Sequence, residues 1–128
     1  MTEPIWLDRR FVLALHERLL AQFSGAAGLR DEGLFDSALA RPRQIFSYED
    51  ADVPRLAAAY ATGIVRNHPF IDGNKRTGFM AAYVFLARNG SKLMASEADA
   101  TQAMLDLVTG AINEPAFAGW LRANVHPV

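Results

Sequence analysis

Two stretches, from Pro54 to about Asn67 and from Gly78 to Arg88, are almost wholly small and apolar, and they limit the fold more than any other feature. The first carries Leu56, Ala57, Ala58, Ala59, Ala61, Gly63, Ile64 and Val65; the second carries Gly78, Phe79, Met80, Ala81, Ala82, Val84, Phe85 and Leu86. A helix that is apolar around most of its circumference has no face to give to water, so other elements must surround it. Pro54 suits the first turn of a helix, where its missing N–H is no loss. Glycine inside a helix costs roughly 1 kcal/mol relative to alanine, so Gly63 and Gly78 mark close helix-to-helix contacts. The two stretches are expected to form a buried central pair with a polar loop held between them.

The remaining periodicity supplies the surrounding elements. Phe11, Val12, Leu15, Leu19, Leu20 and Phe23 recur at three- and four-residue intervals, which predicts an amphipathic helix from about Asp8, its cap, to Phe23. The small residues from Ser24 to Gly28 break it. Asp31 to Ala40 reads as a short helix ended by Pro42, because the residue before a proline avoids the helical region. Arg43 to Val53 has no helical period and reads as a loop or small flap. Asn89 and Gly90 stop the second central helix, and Lys92 to Ala95 is a short extended piece. Ser96 with Asp99 caps a helix to about Thr109, Gly110 to Glu114 turns the chain, and Pro115 to about Asn124 forms a last helix with Phe117, Trp120 and Leu121 inward. The expected architecture is all-α, a single domain of about six helices.

Composition narrows the function. The 128 residues suffice for one domain with a genuine core, and 51% hydrophobic with 21% charged residues is ordinary for a compact soluble chain. Without cysteine there are no disulfides and no thiolate metal sites. A formal charge of −1 argues against a broadly basic nucleic-acid surface. No apolar run reaches the ~18 residues of a membrane span, and the start lacks the basic and apolar regions of a signal peptide. A cytoplasmic protein with no membrane and no direct nucleic-acid partner is expected.

The chemistry is concentrated in His68-Pro69-Phe70-Ile71-Asp72-Gly73-Asn74-Lys75-Arg76-Thr77. This segment opens a helix, where unpaired N–H groups and the positive end of the macrodipole favour anions. Lys75 and Arg76 add two cationic heads there, Arg76 with a planar fork suited to phosphate oxygens. Cations at a helix N-terminus are unfavourable against the dipole unless an anion joins them. Asn74 offers an amide donor, and Gly73 lets a ligand approach closely. The Asp72 carboxylate repels a phosphate unless a cation stands between, and Mg²⁺ is commonly held by one or two carboxylates plus substrate phosphates. His68 is the natural general base for a hydroxyl or water. Together these residues point to phosphate-group transfer from a magnesium nucleotide.

With those residues in view, the string HPFIDGNKRTGF resembles the core motif of the Fic/Doc (Fido) superfamily, His-x-Phe-x-Asp/Glu-Gly-Asn-Gly-Arg, and most closely its Doc branch, where Lys replaces the second Gly. The segment from Gly28 to Pro42 is similar to the amino-terminal part of Doc-like proteins, and Phe85 to Gly90 to the helix end after their motif. The resemblance spans nearly the whole chain. It implies the enzymatic half of a toxin–antitoxin pair, a protein kinase that inhibits translation by phosphorylating a threonine of elongation factor Tu with ATP. In that family His68 would be the base, Asp72 would hold Mg²⁺, Gly73 and Asn74 would form the anion-binding turn, and Lys75 and Arg76 would grip the phosphates. Phe70 would anchor the loop in the core. Ile45, Phe46 and Tyr48 are candidates for the flap that positions the target chain.

Two departures from the Fic pattern set the expected reaction. Lys75 narrows the pocket where Fic enzymes have a glycine, and Phe79 stands where they commonly carry a second Arg; both favour γ-phosphate transfer over AMP transfer, the alternative. Gly73, which some Doc proteins replace with Ala, keeps that alternative open. No position matches the inhibitory Fic helix motif Ser/Thr-x-x-x-Glu-Gly/Asn, so restraint is expected in trans from a Phd-like antitoxin. Arg10 and His16 offer a second class of function, since their spacing resembles that of helical HEPN-type ribonucleases, although a packing or hydrogen-bonding role for His16 fits its amphipathic helix better. A binding module that retains the motif as scaffold is the third. Alanine at His68 abolishes activity in the first reading, alanine at His16 in the second, and neither matters in the third.

Overall fold

A computed structural model describes residues 2–128. Helices α1 (Arg9–Phe23), α2 (Glu32–Tyr48), α3 (Val53–Asn67) and α4 (Asn74–Arg88) are followed by strand β1 (Ser91–Leu93), helices α5 (Glu97–Thr109) and α6 (Glu114–Ala123), and strand β2 (Val125–Pro127). The all-α expectation holds, with the two short strands paired antiparallel so that Lys92 faces His126. The extended piece after α4 was legible; its partner at the end of the chain was not.

Local chemistry sets the helix starts. Asp8, Asp31, Asp52, Ser96 and Asn113 each cap a helix by accepting from the backbone N–H three residues on. Among the described residues only α4 starts without a side-chain cap; its N-cap is Gly73 in the left-handed region, φ 81°.

α3 is the centre of the fold. Every residue from Leu56 to Ile64 is buried, and α4, α2 and α6 pack around it. α4 lies so close that a Cβ on Gly78 would sit 3.1 Å from the Ala61 carbonyl oxygen of α3. The expected central pair is therefore present. Gly63, by contrast, faces α2: a Cβ there would lie 3.3 Å from that of Ala38.

The segment read as a loop or flap after Pro42 is helical instead. Pro42 lies inside α2, which continues to Tyr48. A proline in a helix interior removes one hydrogen bond, to the residue four back, and costs about 3 kcal/mol. Here the buried face runs on through it as Phe35, Ala38, Leu39, Pro42 and Ile45, so packing against α3 offsets the loss. The flap candidates separate accordingly. Ile45 is core, Phe46 packs edge-on against Trp6 at 5.6 Å, and only Tyr48, 73% exposed, is free at the surface.

An ionic cluster ties the last helix to this core. Glu114, in the first turn of α6, is buried and accepts from Arg41 of α2 and Arg55 of α3. Burial alone would raise its pKa, but the two guanidiniums more than offset that and hold it below the ordinary value of 4.5. A depressed folded-state pKa adds stability that is fully present above the unfolded value and lost as pH falls through the folded one. Urea unfolding midpoints should therefore drop as pH is lowered below about 4.5, and Glu114→Gln should flatten that part of the profile while lowering stability at neutral pH.

Candidate active site

α3 ends at His68, whose backbone adopts the left-handed conformation, φ 51° and ψ 53°. For a residue with a Cβ that conformation costs about 1–2 kcal/mol. Arg30 holds it: its Nε donates to the His68 carbonyl at 2.7 Å and its Nη2 to the Asn67 carbonyl at 2.9 Å, satisfying carbonyls that the helix end leaves open. The segment around Arg30 pairs with the motif as well. The Ile71 N–H donates to the Gly28 carbonyl at 3.1 Å and the Asp31 N–H to the Pro69 carbonyl at 3.1 Å. The strand-like contact between Leu29 and Phe70 thus sets the height of the loop above the core.

Phe70 points inward and is 1% exposed, with its ring edge-on to Phe35 at 5.3 Å. Asn74 turns inward too. Its side chain accepts from the Phe70 N–H and donates to the Phe70 carbonyl, both at 3.0 Å. The side-chain amide expected to meet an anion is thus spent closing the loop, and only the backbone of Asn74 remains for that task. On the outer side, Asp72 is exposed and its Oδ1 accepts from the Gly73 N–H at 2.8 Å. Its Oδ2 faces Gly25, where an added Cβ would come within 2.9 Å.

His68, Asp72, Gly73, Asn74, Lys75 and Arg76 line one cleft of about 340 Å³, with Val65 and Val108 as apolar walls. All six site residues expected from the motif meet there, while the flap candidates Ile45, Phe46 and Tyr48 do not line it. Lys75 and Arg76 stand exposed on the uncapped first turn of α4, whose early N–H groups have no intrahelical partners. They also border a neighbouring groove of about 510 Å³, mostly apolar, where Arg76 lies over the Phe23 ring at 4.3 Å and where Phe79 is found.

The chemistry of this donor set suits a phosphate-bound cation. Among the described residues no group of three or more His, Asp or Glu side chains converges. The protein alone offers no cage, but one carboxylate beside a phosphate-binding turn is what Mg²⁺ commonly uses.

His16 lies beneath the loop. It is 3% exposed, its ring stacks on Phe70 at 3.7 Å, and its Nε2 is 2.8 Å from the Asp72 carbonyl oxygen. The packing and hydrogen-bonding role holds, and a nuclease centre built on Arg10 and His16 does not, because the imidazole is sealed from any RNA. Its position on the buried face of α1 with Val12 and Leu19 was legible; its partner, far along the chain, was not.

Comparison with known proteins agrees with this geometry. The model of the Fic/DOC family matches residues 6–86, more than half of the chain, and the chain belongs to that family. Over 98 residues it is 45% identical to the Toxin Doc of Mycolicibacterium smegmatis, an alignment covering 74% of this chain and 71% of that one. Over 114 residues it is 32% identical to the Protein kinase doc of Escherichia phage P1, covering 87% and 88% of the two chains. Among solved structures it is similar to the N-terminal Fic domain of a Bartonella quintana cell filamentation protein with bound ADP, at a TM-score of 0.51 and 20% identity over 75% of this chain. It covers 47% of that structure's chain, so this likeness speaks for the fold alone.

No helix among the described residues is long and apolar enough to cross a membrane.

Proposed function

We propose that this chain is a Doc-like toxin, a cytoplasmic protein kinase that moves the γ-phosphate of ATP to a threonine hydroxyl of elongation factor Tu and is restrained by a Phd-like antitoxin. One observation carries the catalytic part: the uncapped, doubly cationic N-terminus of α4 shares a cleft with an exposed histidine and an exposed carboxylate. The kinase name of the phage relative supports the kinase activity, and the toxin name of the mycobacterial relative supports the toxin role.

The steps follow from where the groups stand. Lys75, Arg76 and the free N–H groups of the first α4 turn bind the phosphate oxygens and neutralise charge on the transferring group. His68 takes the proton of the target hydroxyl as its oxygen bonds to the γ-phosphorus; the bond from that phosphorus to the bridging oxygen breaks, and ADP leaves. Asp72 would hold Mg²⁺, which supplies charge neutralisation between the phosphates when bound. Val65 and Val108 give the cleft an apolar flank that limits competing water.

A Mg²⁺ titration of transfer from ATP tests the site. Asp72→Asn removes the charge but leaves an oxygen that can still accept from Gly73. Half-maximal rate should then need about tenfold more Mg²⁺, or more, than in the wild type. An unchanged Mg²⁺ requirement would place the metal elsewhere.

A further inference from the structure

The structure assigns to His16 a task the motif does not name: we infer that it is a positioning residue, a latch that stops the Asp72–Gly73 peptide from flipping. A carbonyl oxygen can only accept, so the 2.8 Å contact requires that His16 Nε2 carry the hydrogen and donate to Asp72. The peptide is planar and trans, so its N–H points opposite to its carbonyl. With the carbonyl drawn toward α1, the Gly73 N–H faces the other way, onto the Asp72 carboxylate at 2.8 Å on the cleft side.

Within the turn only the Gly73 N–H bond to the exposed Asp72 carboxylate favours that orientation, and the backbone itself does not enforce it. A flip of this peptide mainly exchanges ψ of Asp72 and φ of Gly73, and glycine accepts positive and negative φ almost equally. Gly73 sits at φ 81° and leads directly into α4. In the flipped state a carbonyl oxygen would face the carboxylate and any bound phosphate, and repel both. The residue that lets a phosphate come close therefore also makes the turn reversible. His16 removes that freedom from below, and its own ring is fixed by Phe70, stacked at 3.7 Å and nearly parallel at 8°.

Two substitutions separate the hydrogen bond from the packing. His16→Phe keeps a ring against Phe70 but has no donor, whereas His16→Gln loses the ring but carries an amide N–H at nearly the same reach. The first readout is hydrogen exchange of the Gly73 amide in the nucleotide-free protein, with the buried amides of residues 58–61 in α3 reporting global opening in the same sample. Exchange at Gly73 should quicken by up to about tenfold in His16→Phe, as loss of one hydrogen bond allows. It should return toward the wild-type rate in His16→Gln, while the α3 amides change little in either.

The second readout is kinetic and rests on the kinase reading. Bound phosphate selects the unflipped turn, so loss of the latch lowers the competent fraction of free enzyme without altering the saturated one. His16→Phe should raise the KM for ATP several-fold and leave kcat near wild type, and His16→Gln should recover the lower KM. Unchanged Gly73 exchange in His16→Phe, or equal faults in both variants, would overturn the latch. If wild-type protein transferred no phosphate from ATP, the kinase reading would fail, and the exchange measurement, which needs no nucleotide, would still decide the latch.

Discussion

His68→Ala should lower phosphate transfer to protein by about 10²–10⁴-fold, the usual worth of a general base, while thermodynamic stability moves by less than about 1 kcal/mol. The two halves of this expectation have separate structural causes. The His68 side chain is exposed at the mouth of the cleft, so removing it opens no cavity. Its backbone, by contrast, is fixed by Arg30 and by its own N–H donating to the Ile64 carbonyl at 3.1 Å, and alanine keeps both bonds. Transfer rate with γ-labelled ATP and a urea unfolding curve on the same preparation check the pair. A large loss of stability in this variant would show that His68 is a structural cap and would remove the argument for its role as base.

Phe70→Ala should fail in the opposite sense. The ring is 1% exposed, packed edge-on to Phe35 and face-on to His16. Truncating a buried phenylalanine typically costs about 3–5 kcal/mol through lost transfer energy and the cavity left behind. For a domain of this size, that is a large part of the ~5–15 kcal/mol that separates folded from unfolded chains. The urea midpoint should fall steeply. Activity should fall as well at temperatures where the protein remains folded, because the ring that carries His16 and the loop floor is gone. A variant with near-normal stability would mean that the loop does not rest on the core as described.

These contrasting variants show what the sequence could and could not say. Histidine, carboxylate and cations lie within ten consecutive residues, so their gathering in one cleft needed only a loop opening a helix. The pairing of α3 with α4 and the burial of α3 were equally legible, because an Ala/Gly-rich helix has few other places to go; α4, expected to be buried all round, is buried on one face only, with Phe79, Met80, Tyr83 and Val84 half-buried. What escaped were long-range bonds. Arg30 and His16 hold the loop by contacts 38 and 56 residues away along the chain, and no local pattern encodes a backbone carbonyl as a partner. Asn74 escaped for a different reason: an amide beside cations reads as a ligand donor, yet here it clasps the backbone of its own loop. Pro42 misled because the local rule against proline in helices was overridden by a buried face that continued to Ile45.

In the proposed kinase reading, the choice between γ-phosphate and AMP transfer rests on one residue that the sequence already carries. Lys75 stands exposed beside Arg76 in the cleft, and Phe79, at the place of a second arginine in related motifs, lies in the neighbouring groove. The cleft therefore concentrates its cationic side chains at one turn of α4. The most direct measurement is incubation of the purified protein with elongation factor Tu, Mg²⁺ and ATP labelled in parallel at the γ- or the α-phosphate. Label should pass to the protein target from the γ position only; label passing from the α position would contradict the kinase account and establish AMP transfer in its place.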